Sequence, residues 1–178
     1  TDEEGRLIVG WVGGAIGDPP TYMYSPKTVA EKAEIIVIGK IVSVEDARWV
    51  RYECISYATI ECTRVIKGDP PTTFAFSYGG GHMTYREYMN RWGEPAEKKY
   101  DYLTKEQKDA AYFIGRSDDK NLPEVGKEYL LLMGHVGAAD PWVMGTYQGI
   151  IRIEGDKAYQ TDSGLAISLE ELLQMVAL

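Results

Sequence analysis

Cysteine, histidine and phenylalanine are scarce in this chain of 178 residues, which has two Cys, two His and three Phe. Cys54 and Cys62 match no zinc spacing, so the chain predicts no metal site of that kind. On one extended strand the two would share a face about 26 Å apart, at roughly 3.3 Å per residue. A disulfide needs Cα atoms within about 7 Å, so they could pair only across a sharp turn. Two small buried thiols are the expectation, which leaves the redox compartment open. Any imidazole catalyst or metal centre would have to use His82 or His135. His82 follows three glycines and is expected at the surface, while His135 is expected at the end of a buried strand. HExxH, GxSxG and CxxC patterns are absent. No run of about 18 apolar residues exists, so no transmembrane segment is read. Positive charge is in the minority, with 19 Lys and Arg against 27 Asp and Glu and a net charge of −8. That balance speaks against nucleic acid held through its phosphates and against docking on an anionic membrane.

What is present fits one globular domain spanning 1–178. Hydrophobic residues make up 44% and charged residues 26%, and a chain of this size buries roughly 70% of its unfolded surface without needing a metal or disulfide. It begins Thr1-Asp2-Glu3-Glu4 rather than with Met, as a processed or trimmed product would.

Residues 6–17 read as a short apolar strand breaking into a glycine-rich turn, closed by Asp18-Pro19-Pro20. The glycines lack the Gly-Lys-Ser/Thr ending of a phosphate loop. Ser25-Pro26 opens a helix to about Ala33, with Ser at the N-cap and Pro in the first turn. Residues 34–44 form the strongest strand. Ile35, Val37 and Ile41 face one way and Ile36, Ile38, Val42 and Val44 the other, so both faces need cover around 35–38. Gly39 marks a bend within it. Further strands are expected over about 56–66, 72–78, 127–136 and 142–153, the last interrupted by Gly145 and Gly149. A Gly155-Asp156 hairpin leads into Ala158-Tyr159-Gln160. Between the strands at 72–78 and 127–136, Thr84-x-x-Glu87 caps a helix to about Trp92 and Thr104-x-x-Gln107 caps another to about Ile114. A polar loop over 117–124 follows. Ser168 caps a final helix whose inner stripe is Leu169, Leu172, Leu173 and Val176. Consecutive strands with glycine bends favour a mainly β fold, a small antiparallel barrel of five to six strands. It would carry a helical insertion over about 82–116, extending with its loop to 120, and a C-terminal helix.

Three stretches share an order with a known family: Ala33–Val44, Tyr57–Gly68 ending in a Lys-Gly turn, and Gly126-Lys-Glu-Tyr-Leu-Leu-Leu132. This order resembles the netrin-like fold of the tissue inhibitors of metalloproteinases, and looks closer still to exported bacterial proteins that share that barrel. The resemblance covers about 33–78 and 126–160. It implies an oligonucleotide/oligosaccharide-binding-type (OB) barrel and a secreted or cell-surface protein, lipid-anchored in some of its relatives. In the inhibitors an N-terminal cysteine chelates the protease zinc. Position 1 here is Thr, so protease inhibition is not implied and no functional residue carries over.

Aromatic residues concentrate in the insertion: Tyr78, Tyr85, Tyr88, Trp92, Tyr100, Tyr102, Tyr112 and Phe113. Tyr85, Tyr88 and Trp92 lie on one helix face. That face either packs on the barrel or offers polar-edged rings to a protein or glycan partner. The candidate surface is therefore Tyr78, Tyr85, Tyr88, Trp92, Tyr100 and Tyr102. No catalytic residue, cofactor or metal is assigned. The expected function is a non-catalytic binding module of an exported protein. The alternatives are an exported enzyme or small-ligand carrier with a pocket at the barrel mouth, and a stability module serving another domain.

Overall fold

The computed structural model describes residues 1–2, 5–12, 25–115, 122–135, 139–144, 149–159 and 166–177. The glycine turn at 13–17 with Asp18-Pro19-Pro20, the first part of the 117–124 loop, Gly145 and Gln160 lie outside the described residues. In chain order the elements are β1 (Leu7–Trp11), α1 (Pro26–Lys32), β2 (Ile35–Val44), β3 (Arg48–Val50), β4 (Glu53–Lys67), β5 (Thr73–Gly79), β6 (Gly81–Thr84), α2 (Tyr85–Glu97), α3 (Lys105–Ala110), β7 (Ala111–Gly115), β8 (Glu128–Gly134), β9 (Trp142–Val143), β10 (Ile150–Glu154), β11 (Lys157–Tyr159), β12 (Ala166–Ser168) and α4 (Leu169–Val176). A 3-10 turn, Lys98–Tyr100, follows α2. The fold is mainly β, as its strand patterns predict. The chain divides into two compact units. The smaller comprises Thr1–Ile16, Asp46–Ser56 and Gly80–Ser117; the larger comprises Gly17–Glu45, Tyr57–Gly79 and Asp118–Leu178.

In the larger unit the strands run in the order β12-β11-β10-β8-β2-β4-β5-β9. Strand β9 also pairs with β8, so β8, β2, β4, β5 and β9 close a ring. The closure is parallel at Ser77↔Trp142, whereas β2 pairs antiparallel with both β4 and β8. The alternation in β2 explains why both of its faces are dry. Ile36 and Ile38 enter a core with Val29 and Ala30 of α1, Leu130 and Leu132 of β8, and Leu172 and Val176 of α4. Val37 and Ile41 enter a second core with Ile60, Phe76, Tyr129 and Leu131. Each such side chain contributes about 1.5–3 kcal/mol on burial. Beyond Ile41 the pattern opens, and Val42 and Val44 are exposed. The β2–β4 register slips between Ile38 and Gly39. A Cβ at Gly39 would overlap the Glu61 carbonyl oxygen, so the expected bend is a bulge that only glycine fits. Helices α1 and α4 are capped by Ser25 and Ser168 as the sequence requires.

In the smaller unit β7 lies between β1, to which it is parallel, and β6, to which it is antiparallel. Strand β3 pairs with the start of β4, with Val50 opposite Glu53. The sequence extends the α3 helix to about Ile114, but the helix stops at Ala110 and β7 follows. Ala111 and Phe113 alternate inward and pair on both sides, and that burial outweighs continuing a short helix. The expected end of the preceding helix at Trp92 coincides with a kink at Gly93, past which Pro95 continues α2. Strands β3, β6, β7 and β12 add to the five or six expected.

The Gly79-Gly80-Gly81 run is a close crossing of backbone over β4. Gly80 N donates to Cys54 O at 2.8 Å, and buried Ser56 Oγ donates to Gly80 O at 2.7 Å. Gly81 has φ +106°, and a Cβ there would overlap Ser56 Oγ.

Candidate functional site

Phe113, buried on β7, organises the aromatic residues of the smaller unit. Tyr88 stacks on it at 3.8 Å and 10°. Tyr100 meets it edge-on at 5.4 Å, and Tyr85 lies tilted at 6.2 Å. The expected helix face is therefore split. Tyr85 is 6% exposed, with its hydroxyl buried and without a partner among the described residues, and Tyr88 and Tyr100 are half-buried. Tyr78 belongs to the larger unit, where it is 3% exposed beside Phe76. Tyr78 and Tyr85 thus present no surface, because alternation in β5 and the first turn of α2 turn them into the two cores. The outward rings of the set are Trp92, 45% exposed, and Tyr102, 71% exposed.

Trp92 has neighbours that the sequence does not single out. The hairpin between β3 and β4 turns on two residues, Arg51 and Tyr52. Arg51 has φ +57°, the only positive φ outside glycine among the described residues. This conformation costs an L-residue about 1–2 kcal/mol. Tyr52, beside it, is 80% exposed. From α2, Arg91 places its guanidinium carbon 4.5 Å from the Trp49 ring centre, 5.2 Å from Tyr52 and 5.3 Å from Trp92. Its Nη1 donates to Arg51 O at 2.7 Å, which ties the strained turn to the helix. One turn earlier on α2, Glu87 Oε1 accepts from Trp49 N at 3.1 Å. Trp49 and Trp92 stand edge-to-face at 6.2 Å and 85°. Trp49 Nε1 is buried without a partner among the described residues. The available signal was the Trp49-x-x-Tyr52 turn together with Glu87 and Arg91 at i, i+4 on the aromatic helix.

Arg91 makes no ion pair among the described residues, and Nη1 to Arg51 O is its one hydrogen bond there. That is notable in a chain with 27 carboxylates. The charge is unevenly divided. The smaller unit's sequence has ten Lys and Arg against eleven Asp and Glu, and the larger unit's has nine against sixteen. The net charge of −8 therefore resides almost entirely in the larger unit.

His82 is half-buried rather than at the surface, because β6 turns it toward the first residues of the chain. Its Nε2 is 3.7 Å from Asp2 Oδ2, an oxygen that already accepts from Arg6 Nε at 2.6 Å. Burial first, and the Arg6 charge second, push the imidazole down to about 4, while Asp2 acts in the opposite direction. Cys54 is pushed up to about 12 by burial and by the Glu87 charge. Both cysteines are free thiols, and Cys62 is half-buried. His135 donates its backbone N–H to Glu34 Oε1 at 3.3 Å. No group of three or more His, Cys, Asp or Glu suited to a metal occurs among the described residues. An open groove of about 420 Å³ lies along Lys27 and the Glu171–Ala177 end of the chain. No helix among the described residues is long and apolar enough to cross a membrane.

No family model and no curated protein matches the chain.

Proposed function

We propose that this chain is a non-catalytic binding module whose recognition face is the aromatic–arginine cluster of its smaller unit. The observation that carries the reading is the set Trp49, Tyr52, Arg91 and Trp92, in which the exposed rings Tyr52 and Trp92 and the half-buried Trp49 surround a cation tied to the Arg51 turn. Polar-edged rings with an arginine among them are what binding surfaces concentrate. The neutral, half-buried His82 and the Asp2 oxygen engaged by Arg6 make a poor acid–base pair, which favours binding over catalysis. The closed ring of five strands in the larger unit supports the netrin-like, OB-type barrel that the strand order resembles. Through that resemblance the module belongs to an exported bacterial protein, secreted or at the cell surface.

The test is a binding screen against purified glycans and purified secreted proteins, comparing wild type with the Tyr52→Ala/Trp92→Ala double variant. Both side chains are exposed, so the fold should survive their removal. The reading expects at least a tenfold loss of affinity, about 1.4 kcal/mol. Equal binding by the folded double variant, or no binder in the screen, would overturn it.

A further inference from the structure

We propose that the Arg91 cluster is a site for a carboxylate-bearing sugar residue, a uronic acid in a glycan chain. The proposal rests on the binding reading above and names its ligand class. Arg91 is the starting point. A guanidinium carries five N–H donors, and here only Nη1 is committed, to the Arg51 carbonyl. Its charge has no carboxylate partner among the described residues. Three rings and one backbone bond fix its orientation, so little side-chain entropy remains to be lost on binding. A planar, pre-oriented and unpaired guanidinium recognises a planar anion, and a carboxylate fits it with paired hydrogen bonds.

The rings decide what else the ligand must have. Tyr52 and Trp92 are outward and lie about 5 Å from the Arg91 guanidinium carbon. A uronic acid joins a flat C–H face and a carboxylate on one six-membered ring, so the face covers an aromatic ring while the carboxylate reaches the guanidinium. A neutral sugar would leave the cation unused. A polyphosphate chain would need a run of positive charge. The segments that form the cluster, 48–53 and 87–92, contain Arg48, Arg51 and Arg91 against Glu53 and Glu87. That is an excess sufficient for one anionic group and too small for a phosphate track. The nearly balanced charge of the smaller unit permits an acidic ligand that the larger unit would repel.

The experiment is isothermal titration with tetragalacturonic acid. The comparison probes are its methyl ester, a neutral tetrasaccharide and a single-stranded oligodeoxythymidylate. Wild type should bind the acid at least about tenfold more tightly than the ester. Arg91→Gln should bind the acid only as weakly as wild type binds the ester, and Arg91→Lys should fall between. Because Arg91 also ties the turn, Trp92→Ala serves as a second variant, with circular dichroism to verify its fold, and it should weaken acid and ester together. Equal affinity for acid and ester would overturn the uronate assignment while leaving a binding face intact. So would tighter binding of the oligonucleotide, or unchanged acid binding by folded Arg91→Gln. Failure of wild type to bind any of the four probes overturns this assignment, and the broader screen then decides the binding reading separately.

Discussion

Arg51 is the residue at which local physics and the fold disagree most openly. Its φ of +57° suits glycine, and the turn keeps an arginine there. Arg91 contacts the Arg51 carbonyl rather than its side chain, so Arg51→Gly leaves that hydrogen bond in place. Chemical denaturation should show Arg51→Gly more stable than wild type by about 0.5–1 kcal/mol. His82 supplies a pH signature. Its folded-state pKa, about 4, lies below the ordinary 6.5, so between these values the unfolded chain binds a proton that the folded chain refuses. Stability is therefore fully present above about pH 6.5 and is lost as pH falls toward 4. After allowance for a partly solvated ring, the loss is on the order of 2 kcal/mol. Urea midpoints of wild type and His82→Gln should converge across that window as pH is lowered. A constant difference would mean that the imidazole is not held neutral. At this scale the sequence was a partial guide. It singled out Trp92 and Tyr102, whose rings are exposed, but it gave no means of seeing that Tyr78 and Tyr85 turn inward. That depends on which side of β5 and α2 meets a core.

At the scale of elements, capping chemistry was the most legible signal. Ser25, Thr84, Thr104 and Ser168 each accept from the backbone N–H three residues on. The Thr104–Gln107 pair forms a reciprocal box. Helix α3 is short and buries no residue, so it depends on that box more than on packing. Thr104→Ala should cost about 1 kcal/mol in denaturant unfolding, and Thr104→Ser should recover most of it. The C-terminal limit of α3 was not legible. Ala111-Tyr112-Phe113 can continue a helix or alternate as a strand, and pairing with β1 and β6 decides between them. The same non-local decision hid β3, β6 and β12, each of four residues or fewer. Long strands such as β2 and β8 announced themselves because apolar side chains on both faces require two cores.

For the molecule as a whole, the negative charge has an address. Most of the charge belongs to the larger unit, where a ring of strands occupies the ordinary work of folding. Four of the exposed rings, Trp11, Tyr52, Trp92 and Tyr102, belong to the smaller unit, and Trp142 of the larger unit is exposed as well. A whole-chain charge argues against any anionic partner, whereas the division of charge admits one at the Arg91 cluster. The chain's four tryptophans make this directly measurable, since each gives one indole N–H resonance in a nitrogen–proton correlation spectrum. Titrating the protein with tetragalacturonic acid should shift the Trp92 and Trp49 resonances and leave Trp142 in place. A bound ligand that shifts Trp142 alone, or that leaves the Trp92 and Trp49 signals unmoved, would contradict the assignment of the recognition face.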